Sequence, residues 1–308
     1  ESDEQAARVS AAAASTAVDV ANERGEGAFR RSTRARVAAR PRGWRPLGAT
    51  ALAFDTVIIE PQRDPSRDLW EEHAEWWIDG FTDGADPEYE EQILPLAAAE
   101  LGDARTILDI GCGDGQISRM MASVGAGVVG VDPTWNQIRV AHERGGGPAY
   151  VRTAADGLPF PDASFDAAVA CLVFEHIDAV DAAIAEVARV IRPGGRFCFF
   201  LNHPLLQTPG SGWIDDHVID PPEQYWRIGP YLVETDSVEQ VELGVYIRFI
   251  HRPLSRYLNA LTEHGLVLER MIEPAPPAGF LDRAPEYRDA ATIPRLLYLR
   301  LRRTGDAR

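Results

Sequence analysis

Between residues 103 and 202, short apolar runs alternate with stretches whose apolar residues recur at helical spacing. The runs have strand length and are rich in Val, Ile, Ala and Phe, which is typical of buried strands. They predict five strands, at residues 106–110, 127–131, 149–152, 165–172 and 196–201. The stretches between them predict helices at residues 116–124, 134–144 and 179–191. This alternation indicates right-handed crossovers and a parallel sheet, which binds ligands at the carboxyl ends of its strands.

The segments on either side of this region have a different pattern. Trp70, Trp76, Trp77, Ile78 and Phe81 predict one amphipathic helix, and a second one opens at residues 86–89. After residue 202 the pattern breaks in a proline-rich stretch. The elements predicted beyond it are strands at 231–234 and 244–250, a helix at 253–264, and closing strands at 266–272 and 295–302.

Together these elements predict an α/β fold. Its centre is a Rossmann-like, seven-stranded, mostly parallel sheet with helices on both faces and an insertion after the fifth strand. We expect one domain over residues 68–304, with lid helices at 68–102, a core at 103–202, the insertion at 203–250 and closing elements at 251–304. Residues 1–48, which are poor in large apolar side chains, predict a flexible tail, and residues 49–67 a linker.

The chain is acidic and contains no lysine. Its formal net charge is −16, and all 31 basic residues are arginines. Residues 1–48 hold nine arginines against six acids, which leaves 22 arginines against 41 acids in the rest. An acidic surface repels phosphate backbones, so nucleic acid is not expected as a partner. The absence of lysine excludes Schiff-base chemistry and phosphate-loop ATPase activity.

Three cysteines, Cys112, Cys171 and Cys198, lie in separate apolar runs and not at metal-ligand spacing. They predict buried thiols in a reducing compartment, so we expect a cytoplasmic protein without a metal site. No window approaches the ~18 uninterrupted apolar residues of a membrane-spanning helix.

The segment from Ile107 to Gly115 (ILDIGCGDG) predicts a buried strand, a glycine-rich turn and the start of a helix. Glycines at alternate positions let the backbone approach a ligand closely, and the amides that open the helix suit a carboxylate or phosphate. A dinucleotide fingerprint requires its third glycine at the sixth position, which Gln116 occupies here.

A second candidate is Asp132, which stands before Pro133 at the end of the second strand. It lies about 20 residues beyond the glycine turn, where nucleotide-binding folds place the acid that binds the ribose hydroxyls. An aspartate before proline also favours a turn. Because NAD enzymes share this acid, it indicates a nucleoside ligand without identifying it.

Two more motifs follow in order, AADGLPFPDASFD at residues 154–166 and RVIRPGGR at residues 189–196. With the acid two residues before G-x-G-x-G and the acid after the second strand, they resemble the class I S-adenosylmethionine-dependent methyltransferases. The similarity is to the ubiquinone/menaquinone-biosynthesis type, which acts on small molecules. It covers about a third of the chain.

The resemblance implies S-adenosylmethionine as cofactor. The glycine turn would wrap its methionine part, with Asp109 orienting it, while Asp132 would bind the ribose and the Ala155 amide the adenine. Where the family commonly has its adenine-binding acid, this chain has Ala154, and Asp156 stands two places later. The residues expected to contact the cofactor are Asp109, Gly111, Cys112, Gly113, Asp132, Pro133, Ala155, Asp156 and Cys171.

A hydroxyl or ammonium acceptor must lose a proton, and histidine is a suitable base near neutral pH. His203, after the fifth strand, is one candidate, with a capping role as the alternative. His251, at the end of the strand-like run 244–250, is a second candidate. Glu175 and His176 open the helix after the fourth strand, where the helix dipole favours an acid, so we expect them to be structural.

The family commonly places its substrate cap in the insertion at 203–250, whose aromatic residues favour a small, partly apolar organic acceptor. We expect Tyr89 and Tyr225 to cover or contact the ligands, and Trp77 to pack in the core. The expected function is methyl transfer to this acceptor by in-line displacement, with the acceptor atom open. The alternatives are another S-adenosylmethionine-derived alkyl transfer, a nicotinamide oxidoreductase and a non-catalytic binding protein on the same fold.

Overall fold

The computed structural model describes residues 57–58, 65–283, 285 and 289–305. The predicted tail, residues 1–48, and most of the predicted linker, residues 49–67, lie outside these ranges. The strands are β1 (Val57–Ile58), β2 (Thr106–Ile110), β3 (Gly127–Asp132), β4 (Ala149–Arg152), β5 (Phe165–Cys171), β6 (Ile191–Asn202), β7 (Gly212–Asp216), β8 (Glu223–Arg227), β9 (Thr235–Glu242), β10 (Val245–His251), β11 (Leu266–Ile272) and β12 (Leu296–Arg303).

Helices precede, connect and follow these strands. The α-helices are α1 (Pro65–Glu72), α2 (Ala74–Phe81), α3 (Leu94–Leu101), α4 (Gln116–Ser123), α5 (Trp135–Arg144), α6 (Val180–Val190), α7 (Leu254–Glu263) and α8 (Ala278–Arg283). A π-helix at Tyr89–Ile93 runs into α3, and short 3-10 helices lie at Phe174–His176 and Ala290–Thr292. None of the helices in the described ranges is long and apolar enough to cross a membrane.

The main sheet has the strand order β1-β4-β3-β2-β5-β6-β12-β11. Strands β1 to β6 run parallel, whereas β12 is antiparallel to β6 and β11 antiparallel to β12. The predicted seven-stranded, mostly parallel sheet is therefore confirmed. The eighth strand, β1, adds a two-residue edge beside β4 from within the predicted linker.

Both faces of the sheet are buried under helices, because successive side chains of a strand point to opposite sides. In β2, Ile107 belongs to the apolar cluster that contains residues of α3 and α4. The next residue, Leu108, belongs to the cluster that contains residues of α6 and α7. Because helices cover both faces, the central strands need apolar residues at successive positions.

The insertion after β6 consists of two antiparallel hairpins, β7–β8 and β9–β10. The second hairpin packs Val241, Ile247 and Phe249 against Trp70 and Trp76 of the lid helices. It therefore joins the insertion to the N-terminal part of the domain.

The insertion contains one hairpin that was not predicted, and one predicted strand is wrong. Residues 203–230 contain the hairpin β7–β8, and residues 231–234 form turns instead of a strand, with the Val233 amide donating to the Pro230 carbonyl. The strand that pairs with β10 begins later, at Thr235. Its alternating polar and apolar residues bury mainly one face, so it lacks the continuous apolar run that identifies the central strands.

Candidate functional site

A cavity of about 360 Å³ lies at the carboxyl ends of β2 to β5, where parallel sheets bind their ligands. The structure brings all the residues that the sequence assigned to a cofactor to its wall, together with Tyr89. These residues are Asp109, Gly111, Cys112, Gly113, Asp132, Pro133, Ala155, Asp156 and Cys171.

The glycine turn between β2 and α4 lies tightly against its neighbours. The Gly111 amide donates to the Val131 carbonyl of β3 at 2.7 Å. Gly111 and Gly115 have φ values of +67° and +85°, which favour glycine. A Cβ atom at Gly111 would lie 2.3 Å from Val173, and one at Gly115 would lie 2.2 Å from the Tyr150 hydroxyl. Both positions therefore exclude side chains, which brings the backbone of the turn to the cavity wall.

Asp132 fixes the end of β3 to this turn. One carboxylate oxygen accepts the Gly113 amide at 3.1 Å, and the other accepts the Thr134 amide at 2.8 Å. Burial raises the pKa of Asp132, although these two amides lower it. Each carboxylate oxygen has a second lone pair, so Asp132 can accept two further hydrogen bonds from a ligand.

Asp109 lies beneath the turn, near the end of β2, and is buried. Its Oδ2 accepts the Ser118 hydroxyl of α4 at 2.7 Å. Burial, with contributions from Asp132 and Asp114, raises the pKa of Asp109 to about 7, although the Ser118 hydrogen bonds lower it. A cationic ligand would favour the ionised form of this carboxyl group.

The charges around the cavity favour a cationic ligand. Its wall contains the five aspartates Asp109, Asp114, Asp132, Asp156 and Asp178, and none of the described lining residues is an arginine or a lysine. Asp114 pairs with Arg119 and Arg144, and Asp178 pairs with Arg248. A diphosphate would still lie against Asp109, Asp132 and Asp156, which form no ion pair with the described residues, so the wall argues against a nicotinamide dinucleotide.

Two amide side chains on the wall leave polar atoms without partners. Gln137 Oε1 and Gln116 Nε2 are buried and make no hydrogen bond to any described residue. Gln116 Oε1, by contrast, accepts the Asp83 amide at 2.9 Å. Buried polar atoms are normally paired. One free acceptor and one free donor on this wall therefore indicate a ligand that has both a hydrogen-bond donor and an acceptor.

A sequence model of the methyltransferase domain matches residues 108–199, which include the turn, Asp132 and β5. A solved S-adenosylmethionine-dependent methyltransferase from Mesorhizobium loti is 30% identical, with a TM-score of 0.58. The alignment covers 68% of this chain and 96% of that protein. The chain belongs to the S-adenosylmethionine-dependent methyltransferase family.

Curated relatives match two fifths of this chain or less. The malonyl-[acyl-carrier protein] O-methyltransferase of Serratia marcescens is 34% identical over 40% of this chain and 48% of its own length. The ubiquinone biosynthesis O-methyltransferase of Agrobacterium fabrum is 40% identical over 32% of this chain and 42% of its own length. The chain thus spans less than half of these two relatives.

The cavity of the methyltransferase fits the family's cofactor in charge and in hydrogen-bonding groups. S-adenosylmethionine has a sulfonium and an ammonium group, which the aspartates can stabilise. The unpaired Gln137 Oε1 can accept from the ammonium, and Gln116 Nε2 can donate to the carboxylate of the methionine part. Ala155 also lines the cavity, and its amide has no acceptor among the described residues. The amide can therefore donate a hydrogen bond to the adenine.

Neither predicted histidine base lines the methyltransferase cavity. His203 accepts the Leu205 amide at Nδ1 and contacts Glu273 at Nε2, at 3.2 and 2.8 Å, so both ring nitrogens are engaged. His251 donates from Nε2 to the Tyr231 carbonyl at 2.8 Å and is buried, while its Nδ1 has no partner among the described residues. A base needs a free nitrogen at the substrate, and since neither ring lines the cavity, both positions favour structural roles.

The two predicted tyrosines have different positions. Tyr89 is buried on the cavity wall, where its hydroxyl lies 3.6 Å from the Cys171 sulfur. Tyr225 lies on β8, is 44% exposed and does not line the cavity. The part of the insertion that approaches the cavity is β10, which contacts the 3-10 helix after β5.

Sequence reasoning missed several lining residues. Trp77 packs against the core as expected, but it also lies on the cavity wall, together with Trp70 and His176. The aromatic spacing of the lid helices could have indicated a shared face, but it could not show that this face meets the sheet edge. Glu175 and His176 were interpreted as structural on the helix dipole, and the sequence could not show that the His176 ring contacts Trp70 and Phe249.

Proposed function

We propose that the protein transfers a methyl group from S-adenosylmethionine to a small organic acceptor by in-line displacement. The observation that carries this proposal is the cavity itself, where the glycine turn, the fixed Asp132 carboxylate and two unpaired amide groups meet. The bound cofactor supplies an electrophilic methyl group on a sulfonium. The chain binds and orients both partners, which is the main source of acceleration in such a displacement.

The acceptor would enter on the side of the cavity that is lined by Trp70, Trp77, Tyr89 and Leu172. This wall is aromatic and apolar, which suits a small organic molecule. We further propose an oxygen acceptor, since the two relatives described above are named O-methyltransferases. The three buried thiols form no disulfide with one another, and on that basis we propose a cytoplasmic location.

The test of cofactor binding is calorimetry with Asp132→Ala. Two charge-assisted hydrogen bonds are worth about 1.5–3 kcal/mol each, so their loss should raise the Kd for S-adenosylmethionine about 100-fold or more. Asp79→Ala, at an exposed position on α2, is the control and should bind as the wild type does. The melting temperature of each variant separates a binding defect from unfolding. Unchanged affinity in folded Asp132→Ala would contradict the ribose-binding role.

The test of turnover is release of S-adenosylhomocysteine from a panel of acceptors, followed by mass spectrometry of the product. A gain of one methyl group is expected, whereas a larger transferred group would indicate another alkyl transfer. Binding of NAD instead of S-adenosylmethionine would overturn the proposal in favour of an oxidoreductase. Cofactor binding without turnover of any acceptor would favour a non-catalytic binding protein.

A further inference from the structure

His176 differs from the other histidines discussed above because it lines the cavity with one ring nitrogen free. Its Nδ1 lies 2.7 Å from the Arg248 carbonyl oxygen of β10. A carbonyl only accepts hydrogen bonds, so Nδ1 carries the proton. No described residue forms a hydrogen bond with Nε2, which in this tautomer presents a lone pair.

The segment that carries His176 is fixed by two arginines of the insertion. The Arg248 guanidinium forms two hydrogen bonds with the Asp178 carboxylate, at 2.8 and 2.6 Å. The buried Arg252 guanidinium donates to the carbonyls of Phe174, Ile177 and Asp178. The ring itself packs against Trp70 and Phe249, with centroid distances of 5.0 and 4.8 Å. These contacts hold the imidazole in one orientation at the cavity.

The imidazole is neutral in the pH range of a cytoplasmic enzyme. Burial lowers the pKa of His176 to about 4, although the hydrogen bond to the Arg248 carbonyl raises it. The charged groups around its segment are Asp178 on the same loop, the Arg248 guanidinium that pairs with Asp178 and with Asp236 of β9, and the buried Arg252 and Glu175. Near neutral pH, Nε2 is therefore unprotonated. A pKa of about 4 also makes the free imidazole a weak base, so the proton has to leave the acceptor while its oxygen bonds to the methyl carbon.

We propose that His176 Nε2 is the general base that removes the proton from a hydroxyl acceptor in the methyl transfer. The inference rests on the proposed function. The acceptor O–H bond breaks as its proton passes to Nε2, and the oxygen forms a bond to the methyl carbon. The carbon–sulfur bond breaks with its electron pair on sulfur, which turns the sulfonium into a neutral thioether. The imidazolium then loses its proton to water.

The wall next to His176 indicates which hydroxyl compounds fit. Trp70 and Trp77 meet edge to face at 5.4 Å between ring centroids and offer flat apolar surface. The described lining residues include no arginine that could neutralise a carboxylate or phosphate on the acceptor. The substrate class is therefore an uncharged aromatic hydroxyl compound, a phenol or a catechol.

The first experiment measures the tautomer of His176 without any acceptor. Nitrogen-15 NMR of histidine-labelled protein, with His176→Asn to assign the signal, should show a neutral ring protonated at Nδ1 from pH 6 to 9. A ring protonated at Nε2, or an imidazolium at pH 7, would overturn the base assignment. This readout does not depend on whether methyl transfer occurs.

The second experiment measures activity of His176→Asn with catechol and a series of substituted phenols. The asparagine amide can replace the Nδ1 hydrogen bond to Arg248 but provides no base. We expect kcat to fall about 10²–10⁴-fold while the Kd for S-adenosylmethionine by calorimetry is unchanged. Below the pKa of the phenol, the residual rate of His176→Asn should rise about tenfold per pH unit. The wild-type rate should stay constant above pH 6. His142→Asn, at an exposed position of α5, should match the wild type.

The outcomes separate the inference from the proposed function. Wild-type activity on phenols that persists in His176→Asn would exclude His176 as the base while methyl transfer stands. If the protein binds the cofactor but methylates no phenol, the acceptor class is overturned. This holds whether it methylates amines, thiols or carbon acceptors instead, or no acceptor at all. Failure of the wild type to bind S-adenosylmethionine would instead overturn the proposed function.

Discussion

Asp109 is buried on the cavity wall, where we expect the cationic groups of the cofactor to bind. In the cofactor-free protein it accepts hydrogen bonds from Ser118, including one from the hydroxyl, and burial raises its pKa from 3.8 to about 7. Between these two values the folded protein holds a proton that the unfolded chain releases. Stability from this group therefore falls as the pH rises through that window, and it is constant above pH 7.

The first prediction concerns Asp109→Asn in the cofactor-free protein. The variant should melt at a higher temperature than the wild type, and the gain should grow from pH 5 to pH 7 and then level off. Each pKa unit corresponds to about 1.4 kcal/mol, so the gain at pH 8 should reach at least a few degrees. Thermal unfolding across this pH range measures it. The same variant should bind S-adenosylmethionine more weakly, because a cation loses a carboxylate.

Asp79→Asn is the control, because Asp79 is exposed on α2 and should show no such pH-dependent gain. A gain in Asp109→Asn that is equal at pH 5 and pH 8 would show that Asp109 ionises normally in the folded protein. The raised pKa would then play no part in coupling cofactor binding to stability.

At the residue scale, the sequence identified the groups whose roles depend on local geometry. Gly111 and Asp132 were recognisable because a strand end and a turn position them within one motif. The sequence did not reveal that the Gly113 amide donates to Asp132, or that His176 donates to Arg248, since those partners lie 19 and 72 residues away. Both contacts are set by how the elements pack.

At the element scale, α5 depends on a side chain from the lid. Thr134 precedes α5 but makes no side-chain cap hydrogen bond. Instead the Glu71 carboxylate of α1 accepts the amides of Trp135 and Asn136, at 2.7 and 3.0 Å. An anion at the first turn also interacts favourably with the helix dipole. Because Trp70 lies beside Glu71, this contact ties one wall of the cavity to α5.

The second prediction follows from this cap. Glu71→Ala should lower stability by about 1 kcal/mol, as loss of a helix cap does. It should also raise the Kd for S-adenosylmethionine several-fold, because Trp70 on α1 loses its anchor beside the cavity. Denaturant unfolding and calorimetry measure the two effects. Glu72→Ala, one residue later and exposed, should change neither quantity, and equal behaviour of the two variants would contradict the proposed anchor.

The accuracy of the predicted elements depended on how each one is buried. The central strands are covered on both faces, so their residues form apolar runs with clear ends, and β4 was predicted with the bounds that the structure has. The hairpins of the insertion bury at most one face and have mixed sequences. The predicted helix over 70–81 is two helices that meet at His73, whose ring accepts the Tyr246 amide of β10 at 3.2 Å.

At the scale of the whole molecule, three segments distant in sequence enclose one cavity. The core provides the glycine turn and Asp132, the lid helices provide Trp70 and Trp77, and β10 holds the loop that carries His176. The lid and the insertion also bind each other, since the Trp76 indole donates to the Glu242 carboxylate at 2.6 Å. A ligand that contacts the core and the lid should therefore stabilise the insertion as well.

The third prediction tests this coupling by hydrogen exchange with and without S-adenosylhomocysteine. Exchange should slow in α1, α2 and the hairpin β9–β10, because a ligand that binds only the closed arrangement reduces local opening throughout the enclosing elements. The hairpin β7–β8, whose Tyr225 does not line the cavity, provides the internal reference and should exchange at the same rate in both states. Protection confined to the glycine turn and the end of β3 would mean that lid and insertion move independently of the cofactor. In that case the contacts between Trp76 and Glu242 would hold the two segments together without closing them over the site.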